Sequence, residues 1–278
     1  MNRPSPAKAP WDPTSERDAC GVGFVANVHG LRSHEIVDQG LEVLQHLEHR
    51  GACGCDPDSG DGAGLLTQLP HEFLAARAGE LGIDLPEPGR YGAGMVFLPR
   101  AREEQATARK LLSAAAAETG LDCLGWREVP IDERHCGKLS LSTRPGIAQV
   151  FMVPKTDMDE DELERRLYLT RRIAEKAATA RGGELARDLY LCSLSARTIV
   201  YKGMLIARQV AGFFPDLVDP MFKSALCLVH SRFSTNTLPT WRLAQPFRYV
   251  AHNGEINTLR GNIHWMAARE KLFSSPLF

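Results

Sequence analysis

No apolar run in this sequence approaches the roughly 20 residues that a membrane-spanning helix requires. The first 19 residues lack the apolar stretch of a secretory signal and carry Pro4, Pro6, Pro10 and Pro13 among scattered charges instead. Neither sign of charge is in excess: 33 Lys and Arg face 34 Asp and Glu, so nothing draws the chain to nucleic acid or to an anionic membrane. Seven cysteines are present but no Cys-x-x-Cys pair, which argues against a zinc ribbon or an iron–sulfur cluster. Without an export signal, an odd set of thiols is expected to stay reduced, which places the protein in the cytoplasm. There is no internal repeat. The Gly/Asp-rich stretch Asp56–Gly64 lacks the Gly-Lys-Ser/Thr of a phosphate loop and the closing glutamate of a calcium loop.

What is present is an ordinary globular pattern, long enough for one large domain or two small ones. Residues 21–28 read as a strand. Residues 34–49 carry Ile36, Val37, Leu41, Leu44 and Leu47 at helical spacing, with a stop at Gly51. Residues 51–64 read as a shaped loop whose glycines permit close backbone approach. Tyr91–Leu98, Leu121–Val129 and Gly146–Val153 read as strands. Arg102–Thr119 and Met158–Arg181 read as helices, the second with acids in its first turn and a stripe of Leu163, Leu167, Ile173, Ala174 and Ala177. Further strands are expected at Leu189–Ser193, Thr198–Tyr201, Met204–Ile206, Ala225–Phe233 and Phe247–His252. A hairpin turn is expected at Tyr201-Lys202-Gly203, and a helix at Leu259–Phe273. Strands in runs with helices grouped between them favour an α+β layered sandwich over a doubly wound parallel sheet.

Five places carry candidate chemistry. Cys20 opens Cys20-Gly21-Val22-Gly23-Phe24, and cutting the Ala19–Cys20 bond would put a thiol and an α-amine on one residue. Those groups titrate near about 8.5 and about 8, so the residue can activate its own nucleophile; the alternative is a buried thiol at the start of a strand. Arg50, in His49-Arg50-Gly51, is either a cationic fork beside a site or a surface arginine at a helix end. Asp56–Gly64 is the shaped turn already noted. Arg232, where the strand Ala225–Val229 runs out into polar residues, suits a bidentate grip on a carboxylate with Thr235 adding a hydroxyl, or else a structural ion pair. Asn253-Gly254 is a plain turn, or a side-chain amide and a backbone N–H that together stabilise an oxyanion. His46 and His49 stand one turn apart with no third ligand, so no metal site is expected. Cys53 and Cys55 are too close for an ordinary disulfide.

Arg17 to Phe24, Leu47 to Ala52, Asp56 to Gly64, His230 to Thr237 and His252 to Asn262 together resemble the class II glutamine amidotransferases. The resemblance is closest to the amidotransferase domain of glutamate synthase large subunits, and it covers Arg17 to Phe278. It implies an α+β fold, a four-layer αββα sandwich of the N-terminal-nucleophile hydrolase type. Residues 1–19 would be a leader and 20–278 the amidotransferase domain, incomplete at its C-terminus, with the acid for the substrate α-amino group expected beyond Phe278. Cys20 becomes the nucleophile, Asn253 and Gly254 the oxyanion hole, Arg232 and Thr235 the α-carboxylate clamp, and Arg50 a residue shaping the pocket. The implied substrate is glutamine, hydrolysed through a thioester. Ammonia would pass to synthase domains absent from this chain, which hold FMN and an iron–sulfur cluster, with a small NAD(P)H-oxidising subunit as a further partner; this chain itself is expected to hold no cofactor. The alternatives are an assembly fragment of the same protein, or a class II amidotransferase with another ammonia acceptor.

Overall fold

The structure, a computed structural model, describes residues 21–53, 56–233, 237–252 and 259–277. In chain order the elements are β1 (Val22–Ala26), α1 (His34–His46), β2 (Ala63–Gln68), α2 (His71–Gly79), β3 (Gly92–Leu98), α3 (Arg102–Glu118), β4 (Leu121–Glu128) and α4 (Lys138–Ser142). They continue with β5 (Gly146–Pro154), α5 (Glu160–Arg181), α6 (Gly183–Asp188), β6 (Tyr190–Ser195), β7 (Thr198–Gly203), α7 (Val210–Phe213), β8 (Leu226–Ser231) and α8 (Leu259–Glu270). The strands form two antiparallel sheets, in the orders β1-β8-β2-β7 and β4-β5-β3-β6.

Alternation within the second sheet builds the layers. Ala93, Met95 and Phe97 of β3, with Ile147 and Phe151 of β5, join a core shared with Leu65, Val200 and Tyr201 of the first sheet. Val96 and Leu98, with Ala148, Val150 and Met152, turn the other way and meet Leu112 of α3 and Leu163, Leu167 and Ala174 of α5. Each strand is therefore covered on both faces, which is why both strands are almost wholly apolar. Along the first sheet, α1 lies on β8 and β1. Gly40 permits the contact, since a Cβ there would stand 2.2 Å from the Cys227 sulfur. The α+β layered sandwich expected from the sequence is the fold observed.

Helix α5 shows how sequence sets an element. The Asp159 side chain accepts from the N–H of Glu162 at 2.7 Å, Glu160, Asp161 and Glu162 fill the first turn, and Gly182 at φ +74° ends the helix. Its buried stripe runs through Leu163, Leu167, Thr170, Ala174 and Ala178, leaving Ile173 and Ala177 half-buried.

Three expectations fail. Tyr201-Lys202-Gly203 is not a hairpin turn: β7 runs straight through it, and Lys202 is 1% exposed. Met204–Ile206 is not a strand but leads into a 3-10 turn. Phe247–His252 forms no strand; it turns back on itself, with the N–H of Phe247 donating to the carbonyl of Val250. The chain instead crosses between sheets at Ser195–Thr198, where the Ser195 hydroxyl accepts from the N–H groups of Arg197 and Thr198 at 2.9 and 3.1 Å. β2 and α2 were not expected at all.

A buried polar cluster ties the sheets together. Arg127 of β4 donates two bonds of 2.7 Å to Asp216, and Asp216 also accepts from the Tyr201 hydroxyl at 2.8 Å. Gln149 of β5 closes the ring, accepting from Arg127 and donating to Tyr201. Both charged side chains are nearly inaccessible, so removing one strands the other. Asp216→Ala is therefore expected to cost ~3–5 kcal/mol of unfolding free energy in a denaturant titration; a loss below about 1 kcal/mol, the value of an exposed pair, would contradict this reading.

Candidate active site

Strand β8 ends at His230-Ser231-Arg232, and four other segments are fastened to those three residues. The N–H of Ser231 donates to the carbonyl of Gly21 at 2.7 Å, carrying on the pairing of β1 with β8. The N–H of Arg232 donates to the carbonyl of Gly62 at 2.8 Å, and the carbonyl of Arg232 accepts from Ala52 at 3.3 Å. His230 Nε2 lies 2.9 Å from the carbonyl of His252; a carbonyl only accepts, so this nitrogen carries the proton. Gly51 sits so close that a Cβ would come within 2.6 Å of the Ser231 hydroxyl.

Arg232 is half-buried. Its guanidinium donates to the carbonyl of Asp61 at 3.1 Å and to the Thr237 hydroxyl at 2.8 Å, which holds the fork in one orientation. Burial lowers its pKa from the ordinary arginine value, with Asp61 acting the other way, and the group remains a cation at neutral pH. A cavity of about 210 Å³ opens beside it, lined by Gly51, Ala52, Cys53, Gly62 and Ser231 among others.

The Gly/Asp-rich loop behaves as a shaped turn. Asp56 accepts from the Ser59 hydroxyl at 2.7 Å and from the N–H of Leu139 at 3.1 Å, anchoring the loop to α4. Gly62 has φ +138°, and a Cβ there would come within 2.8 Å of the Cα of Ala244, so its glycine serves both conformation and approach.

Of the residues singled out from the sequence, Arg232 stands at this strand end. Arg50 lies in the 3-10 turn Glu48–Arg50, next to the Gly51 that packs on Ser231. Cys20, Thr235, Asn253 and Gly254 lie outside the described residues, as does Cys55. Their neighbours Gly21 and His252 are described, and both are bonded to β8. The sequence reading missed Gln245, whose side-chain amide clamps the backbone of His252, and gave His230 no task of its own. A polar residue between Ala244 and Pro246 carries no local signal of such a role.

The described cysteines divide sharply. Burial pushes the Cys192 and Cys227 thiols up to about 12 and the Cys136 thiol up to about 11, leaving them poor nucleophiles. Cys53 is exposed and lines the cavity. His49 Nδ1 is bonded to the carbonyl of His46. Among the described residues, no three His, Cys, Asp or Glu side chains gather as a metal ion would require.

The sequence matches the family described as class-II glutamine amidotransferases over residues 20–278, so that the match opens on Cys20. The chain belongs to that family. It is 46% identical over its whole length to the glutamate synthase [NADPH] large chain of Bacillus subtilis, covering 18% of that protein. It is 47% identical over 94% of its length to ferredoxin-dependent glutamate synthase 2 of Synechocystis, covering 16% of it. It is 45% identical over 96% of its length to glutamate synthase [NADH] of Saccharomyces cerevisiae, covering 13% of it. The chain thus spans less than a fifth of these relatives and corresponds to their amidotransferase region.

In this amidotransferase fold His230 is wholly buried and burial pulls its pKa down to about 4, against 6.5 in an unfolded chain. The neutral form is the folded form. The unfolded chain gains a proton first as pH falls, so the stability His230 contributes is complete above pH 6.5 and is lost toward pH 4. His230→Gln keeps a donor for His252 but cannot titrate. Unfolding free energies measured at several pH values between 6.5 and 4 should fall less steeply in this variant, by roughly 3 kcal/mol over the interval. Parallel curves for the two proteins would refute the assignment.

Proposed function

We propose that this chain hydrolyses the side-chain amide of glutamine, with Cys20 as nucleophile, and that the ammonia serves a synthase region that aminates 2-oxoglutarate. The observation that carries the reading is the convergence at the end of β8. Gly21, one peptide bond from Cys20, and His252, one peptide bond from Asn253, are bonded to Ser231 and His230, the two residues before Arg232, beside a cavity of about 210 Å³.

In this reading the leader is cut at Ala19–Cys20 and the freed α-amine takes the thiol proton. The thiolate attacks the amide carbon while the Asn253 side chain and the Gly254 N–H receive the oxyanion. Arg232 and Thr235 grip the α-carboxylate, and Arg50 shapes the adjoining wall. The amine passes its proton to the leaving ammonia, a glutamyl thioester remains, and water releases glutamate.

The relatives named above differ in electron donor, NADPH, ferredoxin or NADH, yet resemble this region at 45–47% identity. This supports a task separate from the redox step, and FMN and an iron–sulfur cluster belong in our reading to the synthase region. A small NAD(P)H-oxidising subunit is part of the same proposal. So is a reducing, cytoplasmic setting, which the free thiols of Cys53, Cys123, Cys136, Cys192 and Cys227 support.

Cys20→Ala should abolish ammonia release from glutamine. Arg232→Met should raise KM for glutamine on the order of a hundredfold, the value of a charge-assisted carboxylate grip, with kcat changed much less. Full activity in the first variant, or a fall in kcat at constant KM in the second, would overturn the assignment.

A further inference from the structure

Resting on that reading, we infer that Gln245 and Lys202 are positioning residues that hold the backbone entering the Asn253–Gly254 oxyanion corner. The evidence is the segment 244–252, which follows the 3-10 turn Trp241–Leu243, has no regular structure and yet is fixed at both ends by buried side chains.

At the far end, Gln245 is 7% exposed and presents its amide edge-on to one residue. The N–H of His252 donates to Gln245 Oε1 at 3.0 Å, and Gln245 Nε2 donates to the carbonyl of His252 at 2.8 Å. A side chain is thus standing in for a neighbouring strand. The same carbonyl accepts from His230 Nε2. The residue preceding Asn253 is held by three hydrogen bonds from buried side chains of two different segments.

At the near end, Lys202 projects from β7 and donates to the carbonyl of Ala244 at 2.6 Å, the carbonyl of Arg242 at 3.1 Å and the Tyr190 hydroxyl at 3.3 Å. Its Nζ lies 4.6 Å from the centre of the Phe247 ring and 4.7 Å from that of Tyr190. These partners are carbonyl, phenol and ring groups. Burial pulls its pKa down to about 8, so the charge persists at neutral pH at a cost. A methionine would fill the space without that cost but could not grip two carbonyls. Bare glycines complete the seat: a Cβ on Gly62 would come within 2.8 Å of the Cα of Ala244, and one on Gly64 within 2.8 Å of the Gln245 carbonyl.

An oxyanion donor acts only when aimed, and a displacement of about 1 Å costs on the order of a hundredfold in rate. The test is steady-state glutaminase kinetics on the full chain, with alkylation of Cys20 by a chloroketone analogue of glutamine measured in parallel. Gln245→Met, nearly isosteric but unable to clamp, should lose on the order of a hundredfold in kcat while KM and the alkylation rate stay within about threefold. Gln245→Glu should regain activity relative to the parent as pH falls, because the protonated acid again donates to the carbonyl of His252 while accepting from its N–H; the titratable groups around it, His230, His252 and Lys202, are present in both proteins, and the parent's own pH profile is the reference. Lys202→Met should lower kcat in the same way, and Lys202→Arg should lose less.

Unchanged kcat in Gln245→Met, a rise in KM alone, or equal losses in kcat and alkylation rate would overturn the inference. If the Gln245 variants do not fold, the comparison of Lys202→Met with Lys202→Arg decides it, equal kcat in the two being the overturning result. A parent chain without Cys20-dependent glutaminase activity would instead sink the proposed function, so the two failures are distinguishable.

Discussion

A β-strand that stops leaves N–H and C=O groups in need of partners, and at the end of β8 those partners come from distant parts of the chain. His230, Ser231 and Arg232 hold Gly21, Ala52, Gly62 and His252 between them. Every segment that bears a candidate functional residue is fastened here. The constraint is local hydrogen bonding, and its consequence is that Gly21, Arg232 and His252, the described neighbours in sequence of the proposed nucleophile and oxyanion donors, share one neighbourhood. If β8 slipped by one residue in register, His230 would point away from His252 and this gathering would be lost.

The polar groups that do the gathering are buried, and burial costs free energy unless every partner is present. Arg127 and Asp216 satisfy one another between the sheets, while Lys202 relies on carbonyls and ring faces. Hydrophobic substitutes would be as stable or more so in isolation. What they could not do is fix the path of an irregular segment. We therefore regard these groups as devices for shape, set beside a core that supplies the stability.

The sequence was most legible where chemistry is local. α5 announces itself through its Asp159 cap, α3 and α5 alike through acidic first turns and terminal glycines, and β3 and β5 through apolar runs that match their two covered faces. Motif order singles out Cys20, Arg232 and Asn253-Gly254 as candidates; of these Arg232 stands at the end of β8, and the others lie outside the described residues. Tyr201-Lys202-Gly203 misled because a lysine before a glycine resembles a turn, whereas the partners that bury Lys202 lie about 40 residues further on. Phe247–His252 misled because its apolar character serves contacts such as that of Phe247 with Lys202, with Tyr249 and Val250 left exposed. β2 went unseen because its two strand neighbours, β7 and β8, are both remote in sequence.

The central claim of the proposed function is that the thiol of Cys20 carries the acyl group, rather than that of Cys53, which is exposed and lines the cavity beside Arg232. The most direct measurement is acid quenching of the chain during turnover of glutamine, followed by mass spectrometry of the intact protein and its peptides. The account predicts a species one glutamyl group heavier, with the adduct on a peptide beginning at Cys20. An adduct on Cys53, or sustained ammonia release with Cys20 unmodified throughout, would contradict it.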